Sequence, residues 1–571
     1  MIVGKQGKHK RRETMKGIRQ CLTVTGIAVV ALFVFAVSAT ALAQDIVVLD
    51  GNYKAERLAP DTPFPGVNGA TIGADGNLYV SHTGNGSITR INLKTMMATP
   101  FLQAYSGAFI IDDVAADDKG NLFATGTTPL VGEVYRVDGN GVPTVIADGM
   151  AAPNGVAYNP RNGRLFVTEC FQGNRIYEVD PAGKQKAKLL IDANVIPVPE
   201  GFDFDPDTND LIIPDLGTGK ILRVHPDTGD ITTVAENIES CIALEIGPDK
   251  MIYVPALSGV VYRVSLDGSK VEKIAQLPPG LDNVAMTKDG RLFVTSYWNA
   301  TIYEVATDGS GDFKQLFPDG PNQPLGIVMK GDTLFVADAV MIRTVADGKY
   351  NQTKLNAWAS HGMPLPLSLA DGPGNMLAWT DCIHGAACLG NPATGEFTPV
   401  AGELDRPVAA LMNSDGSKLY VAEYADGRIT AVSLADGAKT VVTEHLEGPL
   451  ALALSNGVLY VAESKAGRIS TVNPSTGAKQ ILLSSMVGKP VALACDGRGN
   501  LIILDGAGGR IVRVNTQTLA LDFIANNLPV ASSSIGSYPP VEFPSPMTVS
   551  AAGDIYLNTM NRGLIVLKRN Q

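Results

Sequence analysis

Asn68, Asp112, Asn154, Glu200 and Asp282 each stand about ten residues before a Leu/Ile-rich β run, once in each repeat of about forty-two residues. Carboxylates and amides at that spacing, with no His or Cys among them, suit a hard divalent cation, Ca²⁺ first and Mg²⁺ or another divalent ion after it. Unpaired carboxylates gathered in one place are costly unless a cation joins them. The competing reading is local: Asn and Asp at strand ends cap backbone amides. The fifth repeat breaks the polar series with Ile242. The next six repeats carry Leu325, Leu367, Val408, Leu450, Val491 and Met547, all apolar. If the aligned positions converge, the first half of the chain holds a site and the second half a plug.

Around this set the sequence offers further candidates. Glu200, or else Asp113 or Asp282, is placed to serve as a general base toward water. The turns after the second β run of each repeat would form a rim and supply His82, Glu169 and Trp298 as substrate-contacting residues. An unperturbed histidine titrates near neutrality, and Tyr297-Trp298 would offer an apolar platform. A second acidic series, Asp338, Asp381, Glu423, Glu463 and Asp505, lies in the apolar half. Arg428, Arg468 and Arg510 follow the last three by five residues, the spacing of a hairpin ion pair. Cys382 and Cys388 flank a short loop that a disulfide could close.

The elements that must position these residues follow from the repeat. Each copy has four short runs rich in Val, Ile, Leu, Tyr and Phe, separated by Gly, Asn, Asp and Pro. Four strands at a period near forty make a β-propeller blade. Propellers have about four to eight blades, so twelve copies in 571 residues predict an all-β chain of two consecutive six-bladed β-propellers, twelve four-stranded blades in all. The switch of residue type places the boundary near residue 310, giving an N-terminal propeller with the metal site over 44–310 and a structural or docking propeller over 311–571. Asp45–Leu49 is expected to complete the sixth blade of the first ring, and the strand near Phe313–Phe317 the last blade of the second. Pro529–Pro546 reads as an inserted loop.

Residues 1–43 read as a cleaved signal peptide: a basic start, an apolar run from Leu22 to Val37, then Ala41-Leu42-Ala43. Export to the periplasm or beyond is therefore expected, with no membrane insertion after cleavage. That segment holds seven Lys/Arg against one Glu, so its removal deepens a net charge already at −11. An acidic surface repels phosphate backbones, which excludes nucleic acid as a partner. A small-molecule substrate, and a protein partner on the second propeller, stay open.

The motifs Pro153-Asn154-Gly155-Val156-Ala157-Tyr158 with Gly163-Arg164-Leu165-Phe166-Val167, and Pro199-Glu200-Gly201-Phe202-Asp203, resemble the SMP-30/gluconolactonase/LRE-like (paraoxonase-like) family. The second half, with Tyr420-Val421-Ala422-Glu423 and Asp426-Gly427-Arg428-Ile429, resembles NHL-type blades. The resemblance implies a six-bladed ring with a divalent ion in its channel and, in hydrolytic members, action on a lactone or related ester. It aligns Asn154 with a ligand asparagine, Glu200 with the ligand aspartate that also acts as base, Asp112-Asp113 with an Asn-Asp pair, and Asn68 with a ligand glutamate. Asn for Glu at 68 and Glu for Asp at 200 are departures, with Asp282 able to restore the lost charge. The alternatives are a non-catalytic double-propeller scaffold and a metal-dependent lyase.

Overall fold

The computed structural model describes residues 46–570 apart from 60–61, 105, 107, 109, 128–131, 358–362, 485–486, 531–545 and 560–562. The expected signal segment and most of the Pro529–Pro546 insertion lie outside the described residues. Among the described residues every helix-or-strand element is a strand, and the strands form twelve antiparallel sheets. No helix among them is long and apolar enough to cross a membrane.

Ten of the twelve sheets step outward in chain order. In blade three the strands are Pro153–Asn159, Arg164–Glu169, Ile176–Val179 and Lys188–Ile191. The second strand is buried on both faces, because neighbouring blades cover it on either side, and so reads as a continuous apolar run. The hairpin joining the first two strands closes at Gly163, whose φ of +73° favours glycine. Side chains from adjacent blades interlock: Ala157 and Phe166 of blade three share a buried cluster with Phe202, Phe204, Leu211 and Ile213 of blade four.

The chain therefore folds as two six-bladed β-propellers. In the first, Leu281–Met286 of blade six packs against Val67–Ile72 of blade one. In the second, Pro324–Lys330 packs against Met547–Val549 of blade twelve. Closure differs from the sequence expectation in both rings. Phe313–Gln315 does not cross to the second ring; it pairs with Thr301–Val305 as the outer strand of blade six. The N-terminal strands go to the second ring instead. Tyr53–Arg57 pairs with Gly563–Arg569, Tyr53 opposite Arg569, and supplies the fourth strand of blade twelve. Val47–Val48 adds a fifth strand to blade eleven, Val47 opposite Asn526. Tyr53 anchors this arrangement by burying itself in the second ring's core.

The six apolar positions of the second ring, Leu325, Leu367, Val408, Leu450, Val491 and Met547, join one buried cluster. That channel is filled with hydrocarbon. Cys382 and Cys388 are both free and buried. The hairpin pairs Asp381 with Ala386, which leaves Cys382 in the turn and sets Cys388 opposite Trp379, so the two thiols are not partners.

Candidate functional site

Asn68, Asp112, Asn154 and Asp282 are the second residues of the innermost strands of blades one, two, three and six. Glu200 stands just ahead of the short inner strand Asp203–Phe204 of blade four. A girdle of hydroxyl groups fixes them. Thr125, Thr168 and Thr295 each accept an N–H from their own inner strand, from Asp113, Gly155 and Asn283, at 2.9–3.0 Å. Each also donates to the carbonyl of a ring position on the next blade: Thr125 to Asn154, Thr168 to Glu200 (3.3 Å) and Thr295 to Asn68 (2.6 Å). Ser81 does the same to Asp112. The carbonyls are thereby occupied and the side chains are left for the channel.

The carboxylates of the ring feel one another. Burial pushes Asp112 up to about 7. Burial, then Asp112, Asp282, Asp113 and Asp215, raise Glu200 well above the ordinary range, and burial, then Asp112 and Asp113, raise Asp282. Among the described residues no salt bridge joins Asp112, Glu200 or Asp282 to a lysine, arginine or histidine. Glu200 is 2% exposed and its Oε1 has no hydrogen-bond partner. Among the described residues no three His, Cys, Asp or Glu groups already stand close enough to close around an ion. The donor chemistry nonetheless fits a divalent cation: three mutually repelling acids, two amides and an orphaned buried carboxylate oxygen. Ile242, buried at the fifth position, leaves one apolar sector.

Asp113 lies one residue deeper and has a different task. Its Oδ1 accepts from Val114 N (2.7 Å) and Asn283 Nδ2 (2.9 Å), and its Oδ2 from Val156 N (3.0 Å). The Asp113–Asn283 pair bridges blades two and six as a crossbar under the ring. It passes over Gly69 of blade one, where a Cβ would come within 2.6 Å of Asp113 Oδ1. Burial holds the Asp113 carboxyl near 7, but its oxygens are engaged, so it is a strut and not a base. Below the crossbar a cavity of about 1050 Å³ opens at the far mouth, lined by Asp113, Asn283, Gly201, Phe202, Asp203 and Glu245 among others and by none of the five ring residues.

The expected rim residues are placed differently. His82 is fully buried, with Nε2 2.8 Å from Thr89 Oγ1, and burial pushes its pKa down to about 3. It packs near Phe64 and is a core residue. Glu169 is buried too; its Oε1 accepts from Ala151 N at 2.6 Å and its Oε2 lies 3.4 Å from Arg175 Nη1. It ties down the loop leading into its own blade. The acidic series of the second ring does the same. Glu423, Glu463 and Asp505 pair with Arg428 (2.7 Å), Arg468 (2.6 Å) and Arg510 (2.9 Å). Asp338 pairs with Arg343 and Asp381 with His384. Trp298 lies nearly buried against Gly280, where a Cβ would meet the indole within 2.5 Å, so it presents no open face.

Two residues near the ring were not singled out from sequence as its members. Tyr297 is half-buried; burial, with the nearby Asp338, Asp282 and Asp112, raises its phenol. Cys170 is buried, and burial, then Glu200, Asp112 and Asp282, push its thiol well up. The girdle hydroxyls had a legible signal, since Ser81, Thr168 and Thr295 stand where the second ring has Ala337, Ala422 and Ala462.

With this geometry in place, residues 41–257 match the family model of the SMP-30/gluconolactonase/LRE-like region, a stretch that holds blades one to four, part of five and the two N-terminal strands of the second ring. Strictosidine synthase-like 3 of Arabidopsis thaliana is 24% identical over 174 residues, 26% of this chain and 44% of that protein. A gluconolactonase of Zymomonas mobilis is 23% identical over 171 residues, 25% of this chain and 48% of its own. The chain thus spans somewhat under half the length of these curated relatives. Among solved structures, virginiamycin B lyase from Staphylococcus aureus covers 50% of this chain and 96% of its own at 19% identity and a TM-score of 0.36. A GH74 xyloglucanase from Xanthomonas campestris covers 90% and 100% at 14% identity and a TM-score of 0.45.

Proposed function

We propose that the first propeller is a metal-dependent hydrolase of a lactone or related ester, in a protein exported after cleavage before Gln44. The observation that carries this reading is the gathering of half-buried Asp112 and Asp282 and buried Glu200 with Asn68 and Asn154, without a counter-charge, all but Asp282 in the part of the chain that matches the gluconolactonase-type family model. These five residues would hold the cation, which when bound supplies Lewis acidity toward a carbonyl oxygen. Glu200 takes the proton of the attacking water at Oε1, the oxygen with no partner in the fold. Asp282 maintains the negative field beside it. Tyr297, kept protonated by burial, donates a hydrogen bond to the substrate's oxygen. The apolar sector at Ile242 accepts the substrate's carbon skeleton. The second propeller, with its filled channel, serves as scaffold or protein-docking surface.

The test is metal content and lactone hydrolysis by the purified protein, before and after chelation. Loss of activity on chelation and its return with a divalent ion are expected. Glu200→Gln is expected to lower kcat by about 10²-fold or more. Undiminished hydrolysis after complete chelation would overturn the reading. Mass analysis of products separates hydrolysis, which adds water, from elimination, which does not.

A further inference from the structure

The cavity at the far mouth of the first ring holds two acids that the proposed reaction does not use. Asp203 begins the inner strand of blade four, and Glu245 begins that of blade five. Asp203 Oδ1 accepts from Phe204 N at 2.7 Å, and its Oδ2 reaches across the blade boundary to Ile246 N at 2.9 Å. That second bond seats Asp203 beside Glu245, and both acids line the cavity half-buried. Asp203 lies opposite Ile212, and Glu245 opposite Tyr253. At the equivalent pairing the other blades of the first ring carry Thr71, Ala115, Ala157 and Ala285. Blades seven to eleven carry only valine, alanine or leucine there. Closing a ring therefore asks for no acid at this register. The cations of nearby turns are engaged elsewhere: Lys250 by Asp207 and Arg291 by Glu304, both at 2.7 Å, and Arg223 by Asp205 and Asp210. Among the described residues no lysine, arginine or histidine pairs with Asp203 or Glu245. Burial, then Asp203, raises Glu245 well above the ordinary carboxylate range, as befits an acid without a counter-charge. The cavity, about 1050 Å³, is at the upper end of small-molecule sites. Ile72, Phe202, Leu244 and Met286 give it apolar walls.

We propose that this cavity binds an organic cation, a small amine whose ammonium group lies against Glu245 and Asp203 and whose carbon body packs on the apolar walls. The ammonium donates to the carboxylate oxygens in charge-assisted hydrogen bonds and supplies the charge that the fold leaves out. The crossbar of Asp113 and Asn283 forms part of the lining, and none of the five ring residues does. Neither the ring's cation nor the lactone reaction takes part.

The experiment is calorimetric titration of the chelated, full-length protein at pH 7 with benzylamine and with benzyl alcohol, which share a ring and differ in charge. Chelation keeps an ion in the acidic ring out of the result. One benzylamine per chain is expected, with benzyl alcohol weaker by about tenfold or more. Glu245→Gln is expected to weaken the amine by about tenfold or more and to leave the alcohol unchanged. Thr71→Arg brings a cation into the cavity from blade one and is expected to abolish amine binding. Equal binding of amine and alcohol, amine binding that survives both substitutions, or no amine binding at all overturns the proposal and leaves the hydrolase reading standing.

Discussion

His82 and Glu423 occupy equivalent places at the ends of second strands, and each bonds a hydroxyl seven residues on, Thr89 and Thr430. This equivalence explains why His82 is structural. The position faces the blade interior, so the imidazole is held neutral, its pKa lowered from 6.5 to about 3 by burial. The unfolded chain therefore binds a proton at this residue below pH 6.5 that the folded chain refuses. Stability rises with pH across that window and is lost as pH falls through it, by up to roughly 1.4 kcal/mol per pH unit for this one group. Urea denaturation at pH 7 and pH 4.5 checks it: wild type loses more stability than His82→Gln over that interval, and equal losses in the two proteins would count against the assignment.

Among the elements, the tie between the second strand and the loop leading into each blade recurs most often. Glu463 accepts from Glu447 N at 2.7 Å and from Arg468 Nη2 at 2.6 Å, and also bonds Ser470. Removing one partner of so enclosed a pair leaves the others unsatisfied. Glu463→Ala is expected to cost about 3 kcal/mol in chemical denaturation, with lactone turnover unchanged because the blade lies outside the first ring. At the other element of interest, the crossbar, Gly69→Ala places a Cβ 2.5 Å from Asp113 Cα, backbone that cannot step aside. A loss of about 1–3 kcal/mol is expected, together with weaker metal binding as the inner strands of blades one and two part. Ring and plug were both legible at this scale, because side-chain type at one register position is a local property of sequence. The orientation of the rim was not. Whether Glu169 or Trp298 faces a channel or its own blade depends on Arg175 and Gly280, partners fixed by turns whose shapes a strand pattern does not specify.

For the whole molecule, the important feature is the path of the chain. The first ring is made from one continuous stretch, while the second borrows Tyr53–Arg57 from beyond the first. The first propeller is thus inserted into the second, and the N-terminal strand locks the ring that contains no proposed chemistry. Deleting residues up to Arg57 is expected to lower the melting temperature of the second ring and expose the edge of Gly563–Arg569, with a rise in aggregation on size-exclusion chromatography. The first ring is expected to keep its metal affinity in the same protein. Loss of metal binding in step with the second ring's melting would contradict the insertion.

The sequence by itself determined the blade, its count, and the contrast between a polar and an apolar channel, since four strands per repeat and the residue at one register position are written locally. It also pointed to Asn68, Asp112, Asn154, Glu200 and Asp282, which the fold brings around one channel. Only the tertiary structure decided which ring the first strand closes, because an outer strand is chosen by edge pairing between segments some five hundred residues apart, Tyr53 with Arg569. Only it could turn Asp113 into a strut and His82 into core. Each of those assignments depends on which groups from other blades arrive within a few ångströms.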